Sequence, residues 1–97
     1  MAHVPRKKAT KLQLRLYVAG HAPNSLHALA SLAALCKAHF PLTHDLEVVD
    51  MLDHPERALA DGVIVTPTLL RLRPLPVRRI VGGLGDTAQM LRTLADT

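Results

Sequence analysis

The sequence predicts a mixed α/β single domain with the element order β-α-β-α-β-β-α. Three observations carry that reading. Leu12, Leu14, Leu16 and Val18 alternate with Gln13, Arg15 and Tyr17, the period of a strand with one dry face. Apolar residues at helical spacing then fill positions 25–40, and a β-branched stretch follows at 45–52, so strand, helix and strand make a parallel βαβ unit. Finally, Thr68-Leu69-Leu70-Arg71-Leu72-Arg73 and Val77-Arg78-Arg79-Ile80-Val81 flank a Pro74-Leu75-Pro76 turn, the pattern of an antiparallel hairpin.

Taken in order, residues 11–19 form the first strand and Gly20-His21-Ala22-Pro23-Asn24 interrupts it as a loop. The first helix covers 25–40, with Asn24 or Ser25 as its cap and Pro41 as its stop. Its expected core stripe is Leu26, Leu29, Ala33, Cys36 and Phe40, with Leu32 alongside. The second strand spans 45–52. Asp53-His54-Pro55-Glu56 reads as a capping box opening a short helix to Asp61, and Gly62 is placed to take the left-handed position after it. Residues 63–66 are apolar and Pro67 breaks them before the hairpin. Gly82, Gly83 and Gly85 end the fourth strand. Asp86-Thr87-Ala88-Gln89 then caps a last helix with an apolar stripe of Met90, Leu91 and Leu94.

Composition excludes several functions. Ninety-seven residues with 48% hydrophobic and 21% charged residues are a single globular domain. No run approaches 18 apolar residues, and residues 1–10 lack the apolar centre of a secretory signal, so a cytoplasmic protein with a flexible basic arm ahead of a domain at 11–97 is expected. The net charge of +4 is segregated. Arg6, Lys7, Lys8, Lys11 and Arg15 crowd the start, Arg71, Arg73, Arg78 and Arg79 form a second basic group read as solvated, and six of eight acids lie between Asp45 and Asp61. With one Tyr, one Phe and no Trp, the chain has no base-stacking platform, and no nucleic-acid partner is expected.

Pro67 is the most informative single residue, because proline is tolerated only at the first position of an inner strand. A βαβαββα order with this proline opening the third strand resembles the thioredoxin-like fold, where the matching X-Pro bond is cis. In that fold the loop after the first strand carries a CxxC pair activated at a helix N-terminus. Here that loop has no sulfur, and the one cysteine, Cys36, falls mid-helix as a small buried hydrophobe. His3, His21, His27, His39, His44 and His54 show no metal-ligand spacing, so neither metal nor cofactor is expected. The glycines at 82, 83 and 85 lack the Lys-Ser/Thr of a phosphate loop and read as strand termination. No catalytic constellation emerges, and the chain is read as a non-enzyme.

Three blocks then converge. Leu16-Tyr17-Val18-Ala19-Gly20-His21-Ala22-Pro23-Asn24-Ser25, Thr66-Pro67-Thr68-Leu69 and Leu75-Pro76-Val77-Arg78-Arg79-Ile80-Val81-Gly82 resemble, in order and without gaps, the LYVAGxxPNS, ATPTL and LPxPVRRIIG blocks of the KaiB family of circadian clock proteins. The resemblance implies a regulatory protein that binds a hexameric KaiC-type ATPase ring, with a KaiA-like protein or a histidine kinase as further partners. It also implies two folds: a thioredoxin-like monomer, and a ground state of order βαββααβ that assembles as dimers or tetramers. An alternative expectation is a thioredoxin-like interaction module on a histidine kinase pathway without KaiC.

On that resemblance the expected partner contacts are Ser25, Leu29, Leu46, Val48, Asp50, Arg78 and Arg79, on the first helix, the second strand and the hairpin. The expected determinants of fold choice are Pro67, Pro74, Pro76, Gly82, Thr93 and Ala95. Thr93 stands where the family's last segment has Gly, and Ala95 where it has Asp. Such changes favour helix by roughly 1–2 kcal/mol in total, and about 1.4 kcal/mol shifts a two-state population tenfold. The thioredoxin-like state is therefore expected at rest. Glu47 and Gly62 stand where clock members usually carry lysine, which implies an altered partner surface.

Overall fold

The computed structural model describes residues 12–82 and 84–95. The expected arm at 1–10, Gly83 and the last two residues lie outside the described residues. Seven elements follow in the order β1 (Leu12–Val18), α1 (Pro23–His39), β2 (His44–Asp50), α2 (Pro55–Ala60), β3 (Thr68–Arg73), β4 (Arg78–Val81) and α3 (Thr87–Ala95). The order is βαβαββα, and the segment around Thr93 and Ala95 is helix.

One four-stranded sheet runs β2-β1-β3-β4. β1 is parallel to β2 and antiparallel to β3, and β3 pairs antiparallel with β4. The registers align Glu47, Arg15, Leu70 and Arg79 in one row across all four strands. Because side chains alternate along a strand, these four share one face. Leu14, Leu16, Leu69 and Ile80 point to the other, where they pack with Leu32, Leu35 and Cys36 of α1 and with Met90 and Leu94 of α3. A smaller cluster of Tyr17, Val49, Ala58, Val63 and Leu70 lies beneath α2.

Several local expectations are corrected. α1 starts at Pro23, with Ala22 as N-cap and no side-chain cap. Proline suits a first helical turn because its φ is preset and its missing N–H needs no partner there. Ser25 is thus inside the helix, and its Oγ accepts the Ala19 N–H at 3.1 Å. The buried stripe of α1 is Ser25, Ala28, Leu32, Leu35 and Cys36: Leu32 and Cys36 are buried as expected and Leu29 and Phe40 pack against the core, but Leu26 is 49% exposed and Ala33 is exposed. The helix is apolar around most of its girth, so spacing alone leaves its rotation open, and the small Ser25 and Ala28 are what permit a close approach to the sheet.

β2 ends at Asp50 rather than Leu52, because the Asp50 carboxylate accepts the N–H groups of Gly20 (3.0 Å) and Leu52 (2.9 Å) and folds residues 51–53 into a turn. Asp53 and His54 both donate their N–H to the Asp50 carbonyl, which holds Asp53 in that turn. The capping box expected of Asp53 does not form, and His54 is the N-cap of α2 with no side-chain bond. At the other end the expectation holds. Gly62 has φ +68°, its N–H reaches Leu59 O (3.1 Å), and the Val63 N–H reaches Ala58 O (2.8 Å), a Schellman ending. Asp86 caps α3 by accepting the Gln89 N–H at 3.0 Å. The Thr66–Pro67, Arg73–Pro74 and Leu75–Pro76 peptide bonds are cis.

Arg71 departs furthest from expectation. Read as part of a solvated basic group, it is only 1% exposed. Its place on β3 gives it the same face as Leu69, beneath α3. The guanidinium donates to Thr93 O in the last turn of α3 (3.0 Å) and to Pro76 O beyond β3 (3.0 Å). A cation at a helix C-terminus meets the negative end of the helix dipole, and bonds from a charged donor are stronger than neutral ones.

On the opposite face, α2 is held by charge. Glu47 accepts Arg15 Nε at 2.8 Å and Arg57 Nη1 at 2.7 Å, joining β2, β1 and α2. The guanidiniums of Arg57 and Arg15 pull the Glu47 carboxyl down to about 2, from an ordinary value of 4.5.

Two outcomes follow. Replacing Arg71 with Met removes two charge-assisted hydrogen bonds to part-buried carbonyls, a loss of about 2–4 kcal/mol. Thermal melts by circular dichroism should show Tm lower by more than about 10 °C, with Arg71→Lys in between. For Glu47, the folded value lies below the unfolded one, so its stabilisation is complete above about pH 4.5 and is lost as pH falls toward 2. Urea denaturation should show wild type exceeding Glu47→Gln by less than about 1 kcal/mol at pH 7, since the pair is partly exposed, and the gap should close between those two pH values.

Candidate functional site

The region that would hold a redox centre in a thioredoxin-like fold holds none here. A cleft of about 200 Å³ lies between the first turn of α1 and Pro67, lined by Asn24, His27, Ala28, Pro67, Gly82, Leu84 and Gly85. It contains no thiol. Cys36 is buried in the α1 core, and burial pushes its thiol up to about 11, far from a reactive thiolate. Among the described residues, no group of three or more His, Cys, Asp or Glu side chains is placed to hold a metal ion.

What the fold does leave open is sheet surface. α1 and α3, with 17 and 9 residues, cover one face. Among the described residues, the other face has only α2, whose six residues extend about 9 Å. α2 sits over a cluster that takes in Val49 of β2, Tyr17 of β1 and Leu70 of β3. Among the described residues, the β4 edge of this face is left without a helix. There the α2–β3 loop and β4 enclose a cleft of about 360 Å³, lined by Gly62, Ile64, Val65, Thr68, Arg79 and Val81. Ile64 is 88% exposed, and Val65 and Val81 are each about half exposed. Leu59, on the last turn of α2, is 82% exposed. β4 is also an edge strand, with one row of main-chain groups facing outward.

The loop is anchored from two sides. Arg79 donates to the carbonyls of Asp61 (2.7 Å) and Gly62 (3.2 Å), the groups left over by the helix ending. The Asp61 carboxylate accepts Arg15 Nη1 (3.0 Å) and lies 2.5 Å from the Tyr17 hydroxyl, which is also 2.9 Å from Arg57 O. The single hydroxyl proton serves that pair of acceptors. Burial alone would raise the Asp61 carboxyl, but the bonds from Tyr17 and Arg15 outweigh it and the net shift is downward. Burial and the hydrogen bond to Asp61 push the Tyr17 phenol up to about 12.

The expected contact residues fall into two groups. Ser25 is buried against β1, and Asp50 closes the turn after β2, so both have partners within the chain. Leu29 and Leu46 pack against the edge of the main core, while Val48 on edge strand β2 is 43% exposed. Arg78 and Arg79 are exposed on β4, the latter bonded as described. The structure does not join these into one patch, because β2 and β4 are opposite edges of the sheet. Sequence reasoning passed over Tyr17, Asp61, Ile64, Val65 and Val81. The available signal was the apolar run at 63–66, which sits in no helix or strand that could bury it.

Comparison with known proteins agrees with this architecture. The KaiB domain model matches residues 15–95. A circadian clock oscillator protein KaiB of Synechococcus elongatus is 45% identical over 78 residues, covering 80% of this chain and 76% of that protein. A Prochlorococcus marinus KaiB is 45% identical over the same length, covering 66% of that protein. Among solved structures, the N-terminal domain of Synechococcus elongatus SasA superposes with a TM-score of 0.73 at 23% identity, over 97% of this chain and 91% of that one. Mitochondrial thioredoxin 3 of Saccharomyces cerevisiae gives 0.74 at 16% identity, over 94% and 83%. The fold is therefore thioredoxin-like, and the chain belongs to the KaiB family.

Proposed function

We propose that this protein is a non-enzymatic, cytoplasmic regulator of circadian or related timing, which docks as a thioredoxin-like monomer on the ring of a KaiC-type ATPase. The observation that carries the reading is the uncovered sheet surface at β4, in a chain of the KaiB family with no thiol where a redox centre would be. Edge strand β4 supplies main-chain groups for strand addition. Ile64, Val65 and Val81 supply apolar area worth about 3–5 kcal/mol on burial, before the cost of association. Arg79, which lines the cleft, favours an acidic rim on the partner, while Arg78 lies on the α3 side of the same edge strand.

The opposite edge offers a second contact. Leu29, Leu46 and Val48 border β2, and this edge suits a KaiA-like protein or a histidine kinase bound while the first edge is occupied. Thr93 and Ala95 within α3 favour the thioredoxin-like arrangement over the alternative family fold, so exchange between the two is weighted toward the monomer. A second reading, an interaction module in a histidine kinase pathway without KaiC, draws on the likeness to the SasA N-terminal domain over nearly the whole chain.

Titration of the purified protein against a KaiC-type hexamer, with ATP and with ADP, separates the two. Binding in at least one nucleotide state is expected. Ile64→Asp should weaken it by more than tenfold while leaving Tm unchanged, because the side chain is already in water. Absence of binding in both states, with capture of a histidine kinase's partner instead, would replace the first reading with the second. Light scattering at micromolar concentration should return the 10.6 kDa mass of one chain, and a stable tetramer would contradict the resting state given above.

A further inference from the structure

We infer that Asp61 is a positioning residue for the docking cleft: it holds the α2–β3 loop, and with it Ile64 and Val65, in a preformed arrangement without touching the partner. The inference rests on the docking reading above and adds how that surface is kept in shape.

Asp61 is engaged through every polar group it has. Its N–H donates to Arg57 O within α2 (3.1 Å), its carbonyl accepts Arg79 Nη2 from β4 (2.7 Å), and its carboxylate faces Arg15 and Tyr17 of β1. The strand order places β3 between β1 and β4. A single residue is therefore tied to both neighbours of β3, and the chain leaving α2 is strapped across that strand.

At its far end the loop is held by the buried Thr68 hydroxyl, which donates to Val65 O (2.6 Å), so Asp61 fixes where the loop leaves α2 and Thr68 where it enters β3. Val63 is buried beneath α2, but the next two residues, Ile64 and Val65, turn their side chains to water. Without anchors, a loop bearing two exposed β-branched side chains would sample many arrangements. A partner would then have to order it on binding, at a cost of affinity. Asp61 also lies on the row of charges Glu47–Arg15–Asp61, so its anchor is itself held in place by β2. The carboxylate is about a quarter exposed and its bonds are to Arg15 and Tyr17 of β1.

The test uses Asp61→Asn, which keeps shape and removes charge, and Tyr17→Phe, which removes one hydroxyl from a fully buried ring and serves if Asp61→Asn fails to fold. Amide hydrogen exchange on the free proteins reads loop order directly. Exchange at the amides of Gly62 and Val63, which are bonded to Leu59 O and Ala58 O, should rise by more than tenfold in both variants, while amides of β1 stay protected. Affinity for a KaiC-type hexamer should fall by a similar factor, with an unchanged slope of affinity against salt concentration, because no charge contact to the partner has been lost. Unchanged exchange in the loop overturns the inference, whatever binding shows. A loosened loop with undiminished affinity also overturns it, and so does a shallower salt slope, which would make Asp61 a direct contact. If the loop loosens but the wild-type protein binds no such hexamer, the docking reading falls, and the exchange data still support Asp61 as the residue that orders the loop.

Discussion

A four-stranded sheet has two faces to cover, and the helices available to this chain are unequal to the task. The 17-residue α1 and the 9-residue α3 share one face, and the 6-residue α2 is alone on the other. The remaining architecture follows from that shortage. The well-covered face carries the main core. The other carries a small cluster spanning β2, β1 and β3, a row of charged side chains, and apolar side chains in water next to the β4 edge. Where a redox relative of this fold does chemistry at the start of α1, this protein has only a small cleft without sulfur.

Charge compensates where the small cluster is too thin to hold α2 alone. Glu47 lies between the guanidiniums of Arg15 and Arg57, and Asp61 between the Tyr17 phenol and that same Arg15. Partly exposed pairs of this kind are individually weak, but they converge on one short helix and its exit loop, and they set geometry more than they add stability. Arg71 does the same from within the main core. A buried cation among apolar side chains is costly unless its donors are met, and the carbonyls that accept from Arg71 Nη1 and Nη2 belong to α3 and to the segment joining β3 and β4. The hairpin and the last helix are thereby placed together by one side chain.

Much of this was legible from sequence and some was not, for identifiable reasons. Alternation at Leu12–Val18, the glycine after α2, the proline before β3 and the cap at Asp86 each report on a few neighbouring residues, and they set the order of elements correctly. The rotation of α1 was not legible, since leucine and alanine occupy most of its circumference and only the sheet decides which side is buried. Nor was the place of Arg71: among Arg73, Arg78 and Arg79 it looks like one more solvated cation, and its burial depends on where α3 returns. The docking cleft was missed for a related reason. Its residues come from a loop and a strand that are 14 or more positions apart, although the apolar run at 63–66 was a local sign that something there went uncovered.

Cys36 has a practical consequence that is unconnected with redox function. It is the one sulfhydryl in the chain, it is shielded between α1 and the sheet, and its ionisation is suppressed. An alkylating reagent therefore reaches it only when α1 lifts away, so the rate of modification counts opening events in the native population. The molecule carries its own reporter of breathing, in a position where no label has to be engineered.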